Sequence, residues 1–261
     1  MIIPVALIQG TKMLEPIKHV LSKQRIVLAS GSPRRREILK MIGLNFEVEA
    51  SRFEENLDKT SFAHPCEYVK ENAKQKAIEV WERLSKCYKE SPKTCPDLVI
   101  GSDTVVTLFD EIIEKPRDEE DAYDILKKLS GNKHTVFTGV ALITKTKKLS
   151  QIHGQKSPRS SIHDEISTSN PDSQRMSTDV EPRDYLVTTF HESTDVTMAE
   201  LNDDVIRGYI GTGEPMDKAG AYGIQSNGAT LIEQIRGDYY NVVGMPLHRL
   251  CRELYILHCD L

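Results

Sequence analysis

Residues 25–43, RIVLASGSPRRREILKMIG, pass from an apolar run through a small polar turn into a helix led by three arginines. RIVLAS (25–30) reads as a short buried strand. Ser32 stands where an N-cap belongs, Pro33 suits the first helical position, and Gly43 suits the residue just past the end. Ile38, Leu39 and Ile42 supply an apolar stripe. Arg34, Arg35 and Arg36 then fall in the first turn, where the helix dipole is already positive, and each exposed charge there costs roughly a few tenths of a kcal/mol. Either these are solvated arginines on a capped surface helix, or the conflict is kept to hold an anion. A strand, a Gly/Ser turn and a helix start direct backbone N–H groups toward one point. Ser30 and Ser32 add hydroxyls, and Arg34 and Arg35 can fork onto phosphate oxygens. No GKS or GKT follows, and no GxGxxG is present, so neither common phosphate-loop motif applies.

Downstream, NFEVEA (45–50) alternates like a second strand, and residues 65–88 have helical spacing that places Tyr68, Ala73, Ala77, Val80, Trp81 and Leu84 on one broad face. DLVIGSDTVVTLFDEIIEKP (97–116) predicts a long strand, a turn near Asp110–Glu111 and a returning strand. A helix capped by Asp118 and a strand over 133–144 follow. Residues 145–182 are Ser-rich, mixed in charge and poor in apolar side chains, which predicts a disordered insertion. Strand pattern resumes at RDYLVTTFHESTDVTM (183–198), a natural hairpin partner for 133–144. A helix ending near Gly211, a Gly-rich segment and a closing amphipathic helix with Pro246 near its start complete the chain. Helices and strands mix without strict alternation, so the expected class is mixed α/β or α+β around one twisted sheet. Residues 1–24 read as an N-terminal extension and 25–261 as one domain interrupted by the insertion.

The bulk numbers narrow the chemistry. The 261 residues carry 34 Lys and Arg against 39 Asp and Glu, a net charge of -5. Bulk attraction to nucleic acid is therefore not expected, and any anionic ligand must be held by a local cluster. The five cysteines show no CxxC pair or zinc spacing and read as reduced thiols of a cytoplasmic protein. The apolar start MIIPVALIQG has neither a basic leader nor a clear cleavage site, and no run approaches membrane-spanning length.

Three further stretches can carry chemistry. Asp103 lies in IGSDTVV, a run that otherwise reads as buried, where an ionised carboxylate is costly unless paired or metal-bound. A bulge or strand end satisfied by backbone would also accommodate it; Thr104 follows on the opposite pleat, or beside it if the strand bulges. Lys76 and Lys115 have acids nearby, and Glu54 and Glu55 form a loop pair; each is ordinary surface chemistry unless the fold brings it to Asp103, where two carboxylates could hold a hard divalent ion. GEPMDKAGAYGIQSNGA (213–229) concentrates glycines as a tight backbone approach would, or as a plain turn-rich connection would. Lys218 and Gln225 are its polar groups, and Gln225 is able to read a base edge.

Taken together, LASGSPRRREIL, ENAKQKAIEV, IGSDTVV, EKPRDEEDAYDILKKLSGNKHTVFTGVALI, GEPMDKAGAYGIQ and GDYYNVVGMPL resemble the Maf family of nucleoside triphosphate pyrophosphatases. The likeness is strongest to the Maf-like half of acetylserotonin O-methyltransferase-like proteins. No glycine-rich methyltransferase segment appears before Leu261, so no methyl transfer is expected. The resemblance implies an elongated two-lobed fold similar to the inosine triphosphate pyrophosphatases, a central cleft, a homodimer, and hydrolysis of dTTP or UTP to monophosphate and pyrophosphate with Mg²⁺ or Mn²⁺. It places Asp103 as proton acceptor and metal ligand, Glu55 as metal ligand, and Arg34, Thr104 and Gln225 at positions tied to substrate choice. Ser30, Arg35, Lys76, Lys115 and Lys218 are the remaining substrate-binding candidates. A nucleotide-binding regulator of cell division with little turnover is the alternative.

Overall fold

A computed structural model describes residues 13–86, 95–109, 111–146 and 184–259. Its secondary structure begins with a 3₁₀ turn (Glu15–Ile17) and α1 (Lys18–Leu21), then β1 (Ile26–Leu28), α2 (Pro33–Met41), β2 (Glu47–Val48) and the long α3 (Pro65–Lys86). β3 (Leu98–Leu108), β4 (Glu111–Ile113), α4 (Glu119–Leu129), β5 (Lys133–Lys145), β6 (Tyr185–Met198), α5 (Asp203–Ile210), β7 (Ile232–Arg236), α6 (Tyr239–Val243) and α7 (Leu247–Cys259) follow. The seven strands form one mixed sheet in the order β2-β1-β3-β5-β6-β7, with β4 also paired to β3. β1 runs parallel to β2 and β3; the other pairs are antiparallel.

Local signals set the helix starts. Asp118 accepts the Asp121 N–H at 2.8 Å and Asn202 the Val205 N–H at 2.9 Å, capping α4 and α5. The NFEVEA stretch contributes only Glu47 and Val48 as a strand, both exposed, because it lies at the outer edge of the sheet. β5 and β6 form the expected hairpin, paired from Lys133↔Thr197 to Lys145↔Tyr185. Asp110 and residues 147–183, which include nearly all of the expected insertion, lie outside the described residues. Of the expected N-terminal extension, Leu14, Ile17 and Leu21 pack into the same core as Leu250 and Leu254 of α7; residues 1–12 lie outside the described set.

β3 organises everything that follows. One of its edges is paired with β5 from Leu98↔Thr144 to Thr107↔Thr135. The other edge is paired twice, with β1 at Leu98–Ile100 and with β4 at Val106–Leu108. Residues 101–105 lie between these two pairings, so the sheet has an opening there, at the carboxyl end of parallel strand β1. On one face of the sheet, Leu98 and Ile100 belong to one apolar core and Val106 and Leu108 to another, with Ser102 and Thr104 between them. β5 repeats the division: Val140 and Leu142 join the first core, Val136 the second, and Thr138 sits between. The two lobes are thus two cores threaded by the same strands, with a polar band where they meet.

The opposite face carries α3. Here Gly101 and Gly139 let the helix backbone rest on the strands. A Cβ at Gly139 would collide with the Val69 carbonyl group. One at Gly101 would collide with the Ala73 carbonyl oxygen and lie 2.9 Å from the Ala77 Cβ. Backbone on one side of each contact leaves little room to yield. Gly139→Ala is therefore expected to lower unfolding free energy by about 3 kcal/mol, read as a lowered urea midpoint.

His134 of β5 is buried in the second lobe and shares a 2.7 Å hydrogen bond with the Tyr222 hydroxyl. Burial pushes its imidazole down to about 4. The unfolded chain takes up this proton below about pH 6.5, whereas the folded chain resists until about pH 4. Stability is accordingly expected to fall by up to about 3 kcal/mol as pH drops through that window. Chemical denaturation at a series of pH values should show a larger fall across this window in the natural chain than in His134→Gln.

Candidate active site

The opening beside residues 101–105 of β3 is the mouth of a cavity of about 570 Å³. Every candidate from the sequence lines it: Ser30, Arg34, Arg35, Glu55, Lys76, Asp103, Thr104, Lys115, Lys218 and Gln225. They come from the β1–α2 turn, the first turn of α2, the loop before α3, α3 itself, β3, the β4–α4 connection and the Gly-rich segment. Ligands of open sheets bind beyond the carboxyl ends of strands where connections diverge, as they do here.

Asp103 lies on the α3 side of β3 and is only 6% exposed. Lys76, two turns after the glycine contacts begin on α3, extends its Nζ to 2.7 Å from Asp103 Oδ1 and 2.8 Å from Glu55 Oε2. Burial pushes the Asp103 carboxyl above its ordinary value, against the pull of the Lys76 ammonium. Burial also raises that of Glu55, but the Lys76 and Lys115 ammonium charges outweigh it and hold this carboxyl below its usual range. Two neighbouring carboxylates thus differ: one is a reinforced base, the other a committed anion. Glu55, and not Glu54, lines the cavity.

The three leading arginines of α2 have three different fates. Arg34 reaches across the cleft to Asp217 Oδ2 at 3.3 Å. Arg35 is a clamp: Nε donates to the Gly244 carbonyl at 2.8 Å, Nη1 to Ser30 Oγ at 3.1 Å and Nη2 to Thr104 Oγ1 at 2.9 Å. That leaves two of its five N–H groups for a ligand. Desolvation lowers its pKa from the ordinary value, countered by the charges of Asp103 and Glu55, and a guanidinium remains charged throughout. Arg36 is exposed and does not line the cavity. Ser32 occupies the N-cap position, yet its hydroxyl makes no capping bond; its own N–H donates to Ser30 Oγ at 3.3 Å. The expected cap is therefore positional only, because the turn is drawn toward Ser30 rather than closed over the helix.

Thr104 faces away from Asp103, as an unbulged strand requires. Its Oγ1 lies 3.0 Å from Thr138 Oγ1, and Thr138 Oγ1 donates to the Asn241 carbonyl at 2.8 Å. Ser102 Oγ donates to the Gly244 carbonyl at 3.1 Å, so one carbonyl after α6 anchors both Arg35 and β3. In the Gly-rich segment, Lys218 Nζ donates to Asp217 Oδ1 at 2.6 Å and to the Glu214 carbonyl at 2.5 Å. The Glu214 carboxylate in turn accepts from the Asn227 and Gly228 N–H groups and from the Tyr209 hydroxyl. The sequence reading passes over Asp217, Glu214, Ser102 and Gly244. Asp217 left one trace, an acid directly beside Lys218; the Gly244 carbonyl left none, since a carbonyl has no residue signature.

Two carboxylates facing a cavity lined with cations suit a hard divalent ion that takes its other ligands from water and phosphate oxygens. Among the described residues no cluster of three or more His, Cys, Asp or Glu is placed to hold a metal ion.

The chain is similar to several known proteins. The chain is 44% identical over 246 residues to the "Probable bifunctional dTTP/UTP pyrophosphatase/methyltransferase protein" of Homo sapiens, covering 94% of this chain and 34% of that protein. It is 37% identical over 237 residues to a dTTP/UTP pyrophosphatase of Bacillus cereus, covering 91% of this chain and 97% of the relative. A dTTP/UTP pyrophosphatase of Clostridium perfringens is 40% identical over 231 residues, with 88% and 95% covered. The chain therefore spans about a third of the human relative and nearly the whole of the bacterial ones. With the family described as Maf-like protein matching residues 25–172 and 174–257, the chain belongs to the Maf-like family.

Proposed function

We propose that the chain hydrolyses dTTP and UTP, or modified forms of these pyrimidine nucleotides, to the monophosphate and pyrophosphate. The observation that carries this reading is the convergence of ten residues from seven segments of the chain on one cavity, a buried acid and several cations among them. The names of the bacterial relatives support the choice of nucleotide. The start of α2, Arg34, Lys115 and Lys218 attract the triphosphate, and Arg35 adds fixed charge from the wall. Asp103, its basicity raised by burial, accepts a proton from the attacking water. The water oxygen bonds to the α-phosphorus, the bond to the bridging oxygen breaks, and pyrophosphate departs with its charge spread over oxygens the cations already face.

Glu55 and Asp103 would hold a Mg²⁺ or Mn²⁺ ion, which when bound neutralises phosphate charge and polarises phosphoryl oxygens. Thr104, Gln225 and Arg34 bear on base choice in this reading. It extends to a cytoplasmic homodimer; the support is the family likeness and, for the compartment, the free thiols of Cys66, Cys95 and Cys251. No helix among the described residues is long and apolar enough to cross a membrane.

Pyrophosphate release from a nucleotide panel with Mg²⁺ tests the proposal. Asp103→Asn is expected to lower kcat about 10²-fold or more, and wild-type turnover in that variant would remove Asp103 from the role. Arg34→Ala is expected to raise KM and narrow the preference for UTP and dTTP over purine nucleotides. Replacing residues 147–183 by a short turn should leave hydrolysis largely intact. β5 lines the cavity at Val136 and meets this segment after Lys145, nine residues or about 30 Å along the strand.

A further inference from the structure

Of the acids that line the cavity, Glu55, Asp103, Glu114 and Asp217, it is Asp217 that faces Arg34 and Lys218. Its carboxylate bridges two cations from opposite walls: Oδ2 lies 3.3 Å from Arg34 Nη1 of α2, and Oδ1 lies 2.6 Å from Lys218 Nζ of the Gly-rich segment. The three side chains are not equally free to move. Lys218 is 13% exposed, holds the Glu214 carbonyl at 2.5 Å, and lies so close to Gly223 that a Cβ there would be 2.6 Å from its Cε. Arg34 is 28% exposed. Asp217 is 65% exposed, so the carboxylate is the partner able to leave without opening the fold.

We propose that Asp217 is a resident counter-anion that a phosphate group displaces from Arg34 and Lys218, and that returns to those cations as product leaves. This rests on the reading above, in which both cations meet the triphosphate. The consequence is specific. A residue that only arranged the two cations would strengthen ligand binding, and its loss would weaken it. A competitor does the reverse: every ligand that occupies this pair must first free it, so each binds more weakly than the cations alone would allow, and product is retained less. In the bound state Asp217 turns to solvent, where water screens it from the phosphate charge.

Asp217→Asn keeps the size of the side chain and removes its charge. Calorimetric titration of the full chain with inorganic pyrophosphate, and with a non-hydrolysable α,β-imido analogue of UTP, isolates the effect when EDTA removes divalent ions. Both ligands are expected to bind about three- to fivefold more tightly to the variant, an amount in the range of one exposed, partly screened charge. KM for UTP and the inhibition constant for pyrophosphate should fall together. In an Arg34→Ala background the gain from Asp217→Asn should shrink, because the competitor has lost one of the two cations it occupies. Unchanged or weaker binding of both ligands to Asp217→Asn, while Arg34→Ala and Lys218→Met weaken the UTP analogue, overturns this proposal and leaves the reading of the site standing. If Arg34→Ala and Lys218→Met also leave the analogue's binding unchanged, the reading of the site falls and takes the proposal with it.

Discussion

A carboxylate on the central strand of a sheet, almost out of reach of water, is unstable unless a cation is brought to it. Removing such an ion from water costs about several kcal/mol even after the protein relaxes. In this protein the cation is Lys76, and it can reach Asp103 because α3 lies unusually close to the strands beneath it. That closeness depends on Gly101 and Gly139, where the helix backbone meets the strands with no side chain between. The helix depth, the ion pair and the basicity of the acid are thus linked. A shallower α3 would leave Asp103 either unpaired or flooded.

The second constraint is the division of β3 between two cores. Leu98 and Ile100 anchor it in one lobe, Val106 and Leu108 in the other, and each lobe is close-packed and resists deformation. Residues 101–105 bridge the lobes with one edge open, so a cleft forms without any loss of support for the strand. Arg35 closes the remaining degree of freedom. By holding Ser30, Thr104 and the Gly244 carbonyl together, it ties the β1–α2 turn, β3 and the segment after α6 into one wall.

Several cations of the site already have acid partners. Lys76 is paired with Asp103 and Glu55, and Arg34 and Lys218 share Asp217. An uncompensated cluster of cations would repel itself and strain the fold. Paired with acids, the same cations sit close together in one small cavity without that cost. His134 and Tyr222 support the far wall by a neutral hydrogen bond, adding rigidity without adding charge.

Much of this was legible residue by residue. The arginine-led helix, the cap at Asp118, the apolar face of α3 and the β5–β6 hairpin are local or periodic features, and helix and strand periods write them directly into the chain. The oddity of Asp103 among valines and isoleucines was visible for the same reason. What the chain alone left open were the identities of partners. Lys76 and Asp103 are 27 positions apart, and Arg35 and Gly244 are 209 apart. Arg34, Arg35 and Arg36 look alike in sequence, yet one faces an acid across the cleft, one is locked into the wall and one is solvated. By itself the sequence determined the elements, the charges and the turn that aims N–H groups at an anion, because those depend on neighbours along the chain. The tertiary structure alone decided which acid meets which cation and how deeply, because that depends on strand register and on how closely a helix can approach two glycines.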